Sequence, residues 1–152
     1  MKYFTLKELT KSDTAIRLHI NNNPTKQQEY NLIKLVDAIL DPLREIYGKP
    51  ITITSGFRSK TLNTKIGGSS TSQHCCNGRS AAADIVVIKN GVVDYIETKK
   101  LYNIIVEHKL PFDQIILEKG TKEKPQWIHV SYDESKSRKQ KLYYNGKTYV
   151  NI

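Results

Sequence analysis

The stretch Ala81-Ala82-Ala83-Asp84-Ile85-Val86-Val87 is an apolar run interrupted by a single acid. Its length and its β-branched residues predict a buried strand, which we place at Ala82–Ile88. A carboxylate inside such a strand is costly to bury unless a partner compensates its charge. Asp84 therefore indicates that partner groups lie beside this strand.

The chain after this stretch predicts more strands and one helix. Asn90-Gly91 is a turn signal, and the apolar spacing that follows predicts a helix over Asp94–His108. Strands are predicted at Phe112–Leu117 and Trp127–Tyr132, and a C-terminal β-hairpin within residues 139–151, with arms Lys141–Tyr144 and Lys147–Val150 joined at Asn145-Gly146.

The chain before this stretch is predicted to be mostly helical. Thr5 with Glu8 and Thr25 with Gln28 have capping-box spacing, and Ser12 and Asp13 can cap a further turn. These signals and the apolar spacing predict short helical turns at Phe4–Leu9 and Ser12–Leu18 and a longer helix from Thr25 to Ile46. A helical turn is also predicted at Leu62–Ile66, and a strand at Ile51–Thr54. Pro42 should kink or restart the long helix, with Asp41 as its local cap. Helices first and strands later indicate an α+β fold, with a small, mostly antiparallel sheet and helices packed on one side. The 152 residues suit one domain, residues 1–152.

Charge and cysteine content narrow the function classes. Lys and Arg number 24 against 15 Asp and Glu, and the net charge of +9 favours an anionic partner. The alternative is a solvated, lysine-rich surface without such a partner. No helix-turn-helix, zinc-finger or RNP pattern accompanies this charge, so we expect no nucleic-acid partner. The apolar runs are too short for a transmembrane helix, so we expect no membrane partner either. Cys75 and Cys76 are adjacent, which excludes a disulfide framework.

The N-terminal residues Met1–Glu8 show no apolar segment or cleavage site of a secretory signal. We therefore expect the chain to be made in the cytoplasm. We also expect it to be a monomer. Action outside the cell would require release by another component.

Two of the four histidines have unusual surroundings. His74 ends a polar loop, and His129 lies inside the predicted strand Trp127–Tyr132. Together with Asp84 they could form a zinc site, since three such ligands leave a fourth position open for water, as in catalytic zinc centres. The alternative is that both histidines are hydrogen-bonded structural residues. Cys75 and Cys76 are possible soft ligands, whereas His19 and His108 are interpreted as structural or surface residues.

A set of motifs points to a family. They are Ser55-Gly56-Phe57-Arg58-Ser59, Leu62-Asn63, Ile66-Gly67-Gly68, Ser72-Gln73-His74, Ala82-Ala83-Asp84-Ile85, Phe112-Asp113-Gln114-Ile115-Ile116 with Glu118, and Trp127-Ile128-His129-Val130-Ser131-Tyr132. Together they resemble the zinc D-Ala-D-Ala carboxypeptidase family, which includes phage endolysins that cut L-Ala-D-Glu bonds in peptidoglycan. The resemblance covers roughly residues 3–132. The short single-domain members common in phages and prophages are resembled at Phe4, Leu6, Glu8 and Leu9 and at Asp41-Pro42-Leu43-Arg44.

The resemblance implies roles for individual residues. It makes His74, Asp84 and His129 the ligands of one Zn²⁺ in a cleft on the sheet. It makes Arg58 a catalytic and substrate-binding cation that holds the carbonyl and the developing oxyanion, and Ser72 a substrate-binding hydroxyl. Gln73 is interpreted as a supporting residue behind the ligands.

Two departures from the family pattern affect the site. Nine residues, Cys75–Ala83, separate His74 from Asp84, which is longer than the usual spacing. Many members also carry an acidic general base three residues before the last histidine, where this chain has Gln126. The nearest acids are Glu118, Glu123 and Asp113. We choose Glu118 as the base, with Asp113 as the second candidate or a structural residue at its strand start.

The resemblance implies a zinc-dependent peptidase that cleaves peptidoglycan stem-peptide bonds, of the D-Ala-D-Ala carboxypeptidase or L-Ala-D-Glu endopeptidase type. Such an enzyme would reach the wall after holin-type release, or as a virion or prophage component. The alternative is a catalytically inactive wall-binding module of the same fold. A basic nucleic-acid-binding protein is the third and weakest class.

Overall fold

The computed structural model describes residues 1–152. Its helices are α1 (Leu6–Thr10), α2 (Asp13–Arg17), α3 (Lys26–Leu35), α4 (Asp41–Tyr47), α5 (Lys60–Lys65) and α6 (Tyr95–Glu107), with a π-helical turn at Val36–Leu40 and a 3₁₀ turn at Gln73–Cys75. Its strands are β1 (Thr52–Ser55), β2 (Ser80–Val86), β3 (Ile88–Lys89), β4 (Val92–Val93), β5 (Gln114–Glu118), β6 (Trp127–Asp133), β7 (Gln140–Tyr144) and β8 (Tyr149–Asn151). None of the helices is both long and apolar enough to span a bilayer.

Six strands form one sheet in the order β1-β2-β6-β5-β7-β8. Neighbouring strands are antiparallel except β5 and β7, which run parallel. The prediction of an α+β fold with a mostly antiparallel sheet is confirmed, although the sheet is mixed. β6 and β7 follow one another in the chain and lie on either side of β5, running in opposite directions. Because β6 is antiparallel to β5, β7 is parallel to it.

The two faces of the sheet have different surroundings. Alternate side chains of a strand point to opposite faces. In β2, Ala81, Ala83 and Ile85 belong to the hydrophobic core, together with apolar residues from α3, α4 and α6. Asp84 alternates with them, and its register partner in β6 is His129. The polar residues of the central strands therefore lie on the face opposite the core helices.

The helix predicted over Thr25–Ile46 consists of α3, the π-helical turn Val36–Leu40 and α4. It restarts at Pro42, which was one of the two predicted outcomes. α3 begins at the predicted capping box of Thr25 and Gln28, and α4 carries Pro42 in its first turn. The prediction that Asp41 caps α4 is wrong, because no side chain caps this helix. The Asp41 carboxylate instead accepts hydrogen bonds from the backbone N–H groups of Lys2 and Tyr3, which are distant in sequence.

Both predicted turns occur, and one of them has a longer loop than predicted. Asn90 and Gly91 have positive φ angles of 51° and 77° and join β3 to β4, as a type I′ turn requires. The C-terminal hairpin pairs Tyr144 with Tyr149, so its loop has four residues and not the two at Asn145-Gly146. The Asn145 side chain stabilises this longer loop by accepting from the N–H groups of Lys147 and Thr148, at 2.8 and 2.9 Å.

Candidate metal centre and active site

Three predicted ligands converge on the polar face of the sheet. His74 lies in the 3₁₀ turn, Asp84 in β2 and His129 opposite Asp84 in β6. Asp84 Oδ1 lies 3.0 Å from His129 Nδ1 and 3.3 Å from His74 Nε2, and the two ring nitrogens are 3.2 Å apart. All three residues are buried. Two imidazole nitrogens and one carboxylate oxygen thus point at a common position.

The spacing of these atoms fits a tetrahedral ion. Ligand atoms at ~2.0–2.2 Å from a tetrahedral zinc lie about 3.3–3.6 Å from one another. The three distances of 3.0, 3.2 and 3.3 Å are slightly below or within this range. The donor set is also one that zinc prefers, and three protein ligands leave a fourth position for water or substrate. His74, Asp84 and His129 could therefore hold a metal ion.

The His74 ring is oriented by the backbone. Its Nδ1 lies 2.7 Å from the carbonyl oxygen of Gly56, so Nδ1–H donates there and Nε2 is the ring atom that faces His129 and Asp84. This is the outer hydrogen bond that metal-binding histidines usually make. Gly56 in turn lies against the backbone of Leu9 in α1. The short N-terminal helix thus helps to aim a ligand that is far away in sequence.

The long interval between His74 and Asp84 does not separate the ligands. Cys75 and Cys76 are buried, while residues 77–79 are exposed and turn through Gly78 at a φ of 60°. The extra residues therefore project into solvent. The thiols lie outside the group of possible metal ligands, and burial raises the pKa of Cys76 to about 12. The prediction that the cysteines could be soft ligands gains no support from this placement.

Asp84 is surrounded by groups that favour its charged form. Burial alone would raise its pKa, but His74 and His129 lower the pKa by more than burial raises it. Arg58 adds a cation, with Nη2 3.4 Å from Asp84 Oδ2, and its Nε donates to Ser55 Oγ at 3.2 Å. Arg58 therefore lies beside the centre, on the side of β1.

Glu118 lies in the same cleft as the three ligands. The cleft has a volume of about 480 Å³, and Trp127 and Tyr149 also line it. Glu118 is 9% exposed, and its carboxylate forms no hydrogen bond or ion pair. Burial raises its pKa above the ordinary value, His129 opposes this shift and Asp84 adds to it. A buried carboxylate with a raised pKa and no partner is well suited to accept a proton near neutral pH.

Gln126 has no comparable position. Its side chain is exposed, it is not among the residues lining the cleft, and its backbone N–H donates to the carbonyl of Glu118. An acid at position 126 would therefore lie away from the three ligands in this fold. Glu118, at the end of β5, occupies the place where an acid faces them.

Asp113 is engaged elsewhere. It is fully buried, and both of its carboxylate oxygens accept hydrogen bonds from Arg138, at 2.6 to 3.1 Å. Gln73 Nε2 donates to the same carboxylate at 2.9 Å. Asp113 does not line the cleft, whereas Arg138 and Gln73 do. The structure thus brings Glu118 into the cleft and leaves Asp113 behind it.

The remaining predicted residues fall into two groups. Ser72 lines the cleft, and its Oγ accepts from the His74 N–H at 3.3 Å, so it caps the turn that carries this ligand. His19 and His108 are exposed and lie outside the cleft. Arg138 and Trp127 were missed as cleft residues. Trp127 could have been found, because it alternates with His129 along one strand.

Comparison with known families agrees with this geometry. A search of the curated proteins finds no match. The family model described as Peptidase M15 matches residues 2–131, a segment that contains Arg58, the three converging ligands and Glu118. Since the match spans most of the chain, this chain belongs to the peptidase M15 family, a family of zinc metallopeptidases.

Proposed function

We propose that this chain is a zinc-dependent peptidase that cleaves peptide bonds in peptidoglycan stem peptides. The observation that carries the proposal is the convergence of His74, Asp84 and His129 within a segment matched by a peptidase family. The bond is of the D-Ala-D-Ala carboxypeptidase or L-Ala-D-Glu endopeptidase type. A lytic role in a phage or prophage belongs to the same proposal.

The three ligands, which line the cleft, would hold the zinc ion. When bound, zinc supplies Lewis-acid chemistry, because it polarises the peptide carbonyl and makes water more acidic. The chain itself supplies fixed geometry, since two neighbouring strands carry Asp84 and His129 and the Gly56 carbonyl orients His74. Little rearrangement is then needed during the reaction.

Glu118 is the proposed general base. Its free carboxylate takes a proton from the attacking water and returns it to the leaving amine. The raised pKa matches this task, because a carboxylate with an ordinary pKa is a weaker proton acceptor at neutral pH. Glu118 thus lies in the cleft, is buried and has a carboxylate without a hydrogen-bond partner.

Arg58 is the proposed cation for the carbonyl oxygen. Its Nε and Nη2 are held by Ser55 and Asp84, while Nη1 has no hydrogen-bond partner. A guanidinium stays charged at all relevant pH values and offers rigid donors to a developing oxyanion. Ser72, on the loop beside His74, is the proposed hydroxyl that hydrogen-bonds the substrate backbone.

The proposal is tested by measuring metal and hydrolysis on one purified sample. Elemental analysis should give one zinc per chain, and mass spectrometry of digested peptidoglycan should identify the released fragments and the bond. Glu118→Gln should keep the zinc and lose activity ~10²–10⁴-fold, the usual contribution of a general base. Glu123→Gln is the matched control, because Glu123 is an exposed acid in the loop that follows β5.

Two results would overturn parts of this proposal. A chain that binds no zinc after supplementation would remove the metal centre and the mechanism with it. Full activity in Glu118→Gln would remove the base assignment alone. One zinc with no hydrolysis of any wall preparation would support the alternative, a wall-binding module. The exposed position of Gln126 weakens that alternative, because the missing acid would not face the ligands.

A further inference from the structure

The cleft contains a second arginine that the proposed mechanism does not use. Arg138 lies in the connection between β6 and β7, beyond the residues matched by the family model. It lines the cleft together with Arg58 and Glu118. Arginines in short surface connections usually extend into solvent, so the presence of Arg138 in the cleft lining requires its own explanation.

Arg138 is held in one orientation by a buried acid. Asp113 is 0% exposed and accepts from Arg138 Nε and Nη2 through both carboxylate oxygens. The backbone follows the same anchor, because Arg138 N–H donates to Asp113 Oδ1 at 2.9 Å. Gln73 also bonds to Asp113 and precedes the ligand His74. Arg138 is therefore connected through Asp113 to Gln73, the residue that precedes the ligand His74.

One edge of the guanidinium remains free. Nη1 of Arg138 has no hydrogen-bond partner, and the side chain is 44% exposed although it is anchored from behind. Its two N–H groups are thus available to a ligand, and Arg138 is one of the residues that line the cleft. A guanidinium with a fixed orientation and free N–H groups is a suitable receptor for a carboxylate.

The position of this receptor along the sheet can be measured in strand residues. His129 lies opposite Ile116 in β5, and Asp113 precedes Ile116 by three residues. At a rise of ~3.3 Å per residue, these three residues place the Asp113 anchor about 10 Å along the strand from the metal ligands. Glu118 lies two residues beyond Ile116 in the other direction. Arg138 and the proposed base therefore flank the centre from opposite ends.

Both bonds named in the proposed function place a carboxylate within this distance. In D-Ala-D-Ala the residue that supplies the leaving amine carries the terminal carboxylate. In L-Ala-D-Glu the leaving D-Glu carries a free α-carboxylate, because the stem continues through its γ-carboxyl. One residue of chain, ~3.5 Å, plus a hydrogen bond of ~3 Å to the nitrogen, gives about 7 Å.

We infer that Arg138 binds the α-carboxylate of the residue on the amine side of the scissile bond. This inference rests on the proposed function and deepens it. Arg138 is then a specificity residue and Asp113 is its positioning residue. The substrate class is narrowed to stem peptides in which that carboxylate is free and not amidated.

Paired substrates test this inference. The probes are two synthetic stem peptides, one ending in D-Ala-D-Ala and one containing L-Ala-γ-D-Glu, each compared with the analogue in which the α-carboxylate is a carboxamide. The wild-type chain should show kcat/KM ~10–100-fold higher for the free acid, mainly through KM, as expected for a charge-assisted hydrogen bond. Arg138→Gln should reduce this preference ~10-fold or more, so that the kcat/KM values for the free acid and the carboxamide become similar.

Controls separate charge, folding and chemistry. Arg79→Gln removes the same charge from an exposed arginine outside the cleft and should keep the preference. If Arg138→Gln fails to fold because Asp113 loses its partner, the double variant Asp113→Asn with Arg138→Gln removes both charges. Binding of the same peptides to Glu118→Gln gives a readout that does not require hydrolysis.

The outcomes of the two proposals differ. Equal use of free acid and carboxamide by an active wild-type chain would overturn the role of Arg138 and leave the peptidase standing. Equal loss on both substrates in Arg138→Gln would show a merely structural residue. Absence of hydrolysis with carboxylate-selective, Arg138-dependent binding would overturn the peptidase and keep the receptor.

Discussion

Replacing Gly56 with alanine should damage both the fold and the metal centre. An added Cβ would lie 2.1 Å from the carbonyl oxygen of Leu9, 2.9 Å from its carbon and 3.0 Å from its Cα. These are backbone atoms, so no side-chain rotation can relieve the contact. Reaching an ordinary carbon–oxygen distance of ~3.3–3.6 Å requires a displacement of more than about 1 Å.

The free-energy cost follows from two contributions. Overpacking in a well-packed region costs ~1–3 kcal/mol. The hydrogen bond from Phe57 N–H to Leu9 O, 2.7 Å long, would break or stretch and contributes ~0.5–1.5 kcal/mol. The total is ~1.5–4.5 kcal/mol, which lowers the Tm of a chain of this size by about 3–18 °C.

The same displacement should weaken zinc binding. The Gly56 carbonyl accepts from His74 Nδ1 at 2.7 Å, so moving it releases the ring from its orientation. Loss of such an outer partner typically weakens metal affinity ~10–100-fold. Differential scanning calorimetry of the metal-free chain and competitive zinc titration measure the two effects separately.

Gly48→Ala is the matched control. Gly48 follows α4 with a φ of 76° and has no atom within 4 Å of an added Cβ. It should lose ~1–2 kcal/mol from left-handed backbone strain alone and keep the zinc affinity of the wild type. If Gly56→Ala melts within a degree of the wild type and binds zinc equally well, the coupling between α1 and the ligand is refuted.

Further predictions follow from the centre and its surroundings. His129→Ala should lose the stoichiometric zinc seen by elemental analysis, whereas His108→Ala, at an exposed histidine, should retain it. Burial would raise the pKa of Asp113, but Arg138 and Gln73 hold this pKa below its ordinary value, so the carboxylate stabilises the fold above about pH 4 and less as the pH falls. Thermal unfolding between pH 7 and pH 2 should therefore lose more stability in the wild type than in Asp113→Asn, and parallel curves would contradict this. Burial raises the pKa of both Cys75 and Cys76, so neither thiol should react with a disulfide reagent at pH 8 before unfolding, and a fast native reaction would count against their burial. Chelation of zinc should leave the far-ultraviolet circular dichroism unchanged, because 23 core residues hold the fold without the ion, and a collapsed spectrum would disprove this.

Local sequence signals predicted much of the fold because the forces involved are local. The capping boxes of Thr5 and Thr25, the cap at Ser12 and the turn at Asn90-Gly91 all occur as predicted. Each depends on residues within three positions of one another, so the sequence contains the whole interaction. For Asp84 only the signal was local, because a carboxylate inside an apolar strand requires partners. The partners themselves, His74 and His129, lie elsewhere in the chain.

The features that escaped prediction depend on residues far apart in the chain. Asp41 binds the N-terminal backbone and not its own helix, because that segment folds back beside it. Arg138 enters the cleft only because Asp113, 25 residues earlier, pairs with it. The parallel pairing of β5 and β7 likewise depends on which strand edge remains open, and no local pattern specifies this.

The alternation of side chains along β2 and β6 explains why the centre can be both rigid and reactive. Ala83, Ile85 and Val130 fill the core on one face, while Asp84 and His129 lie between them and point to the other. The core residues of β2 and β6 therefore also fix the positions of two ligands on the opposite face. Histidines on either side of Asp84 stabilise its charge, so the ligand oxygen is already in place before an ion arrives. The stability of the core and the geometry of the centre are thus properties of the same strands, and a core substitution at Ala83 would disturb both.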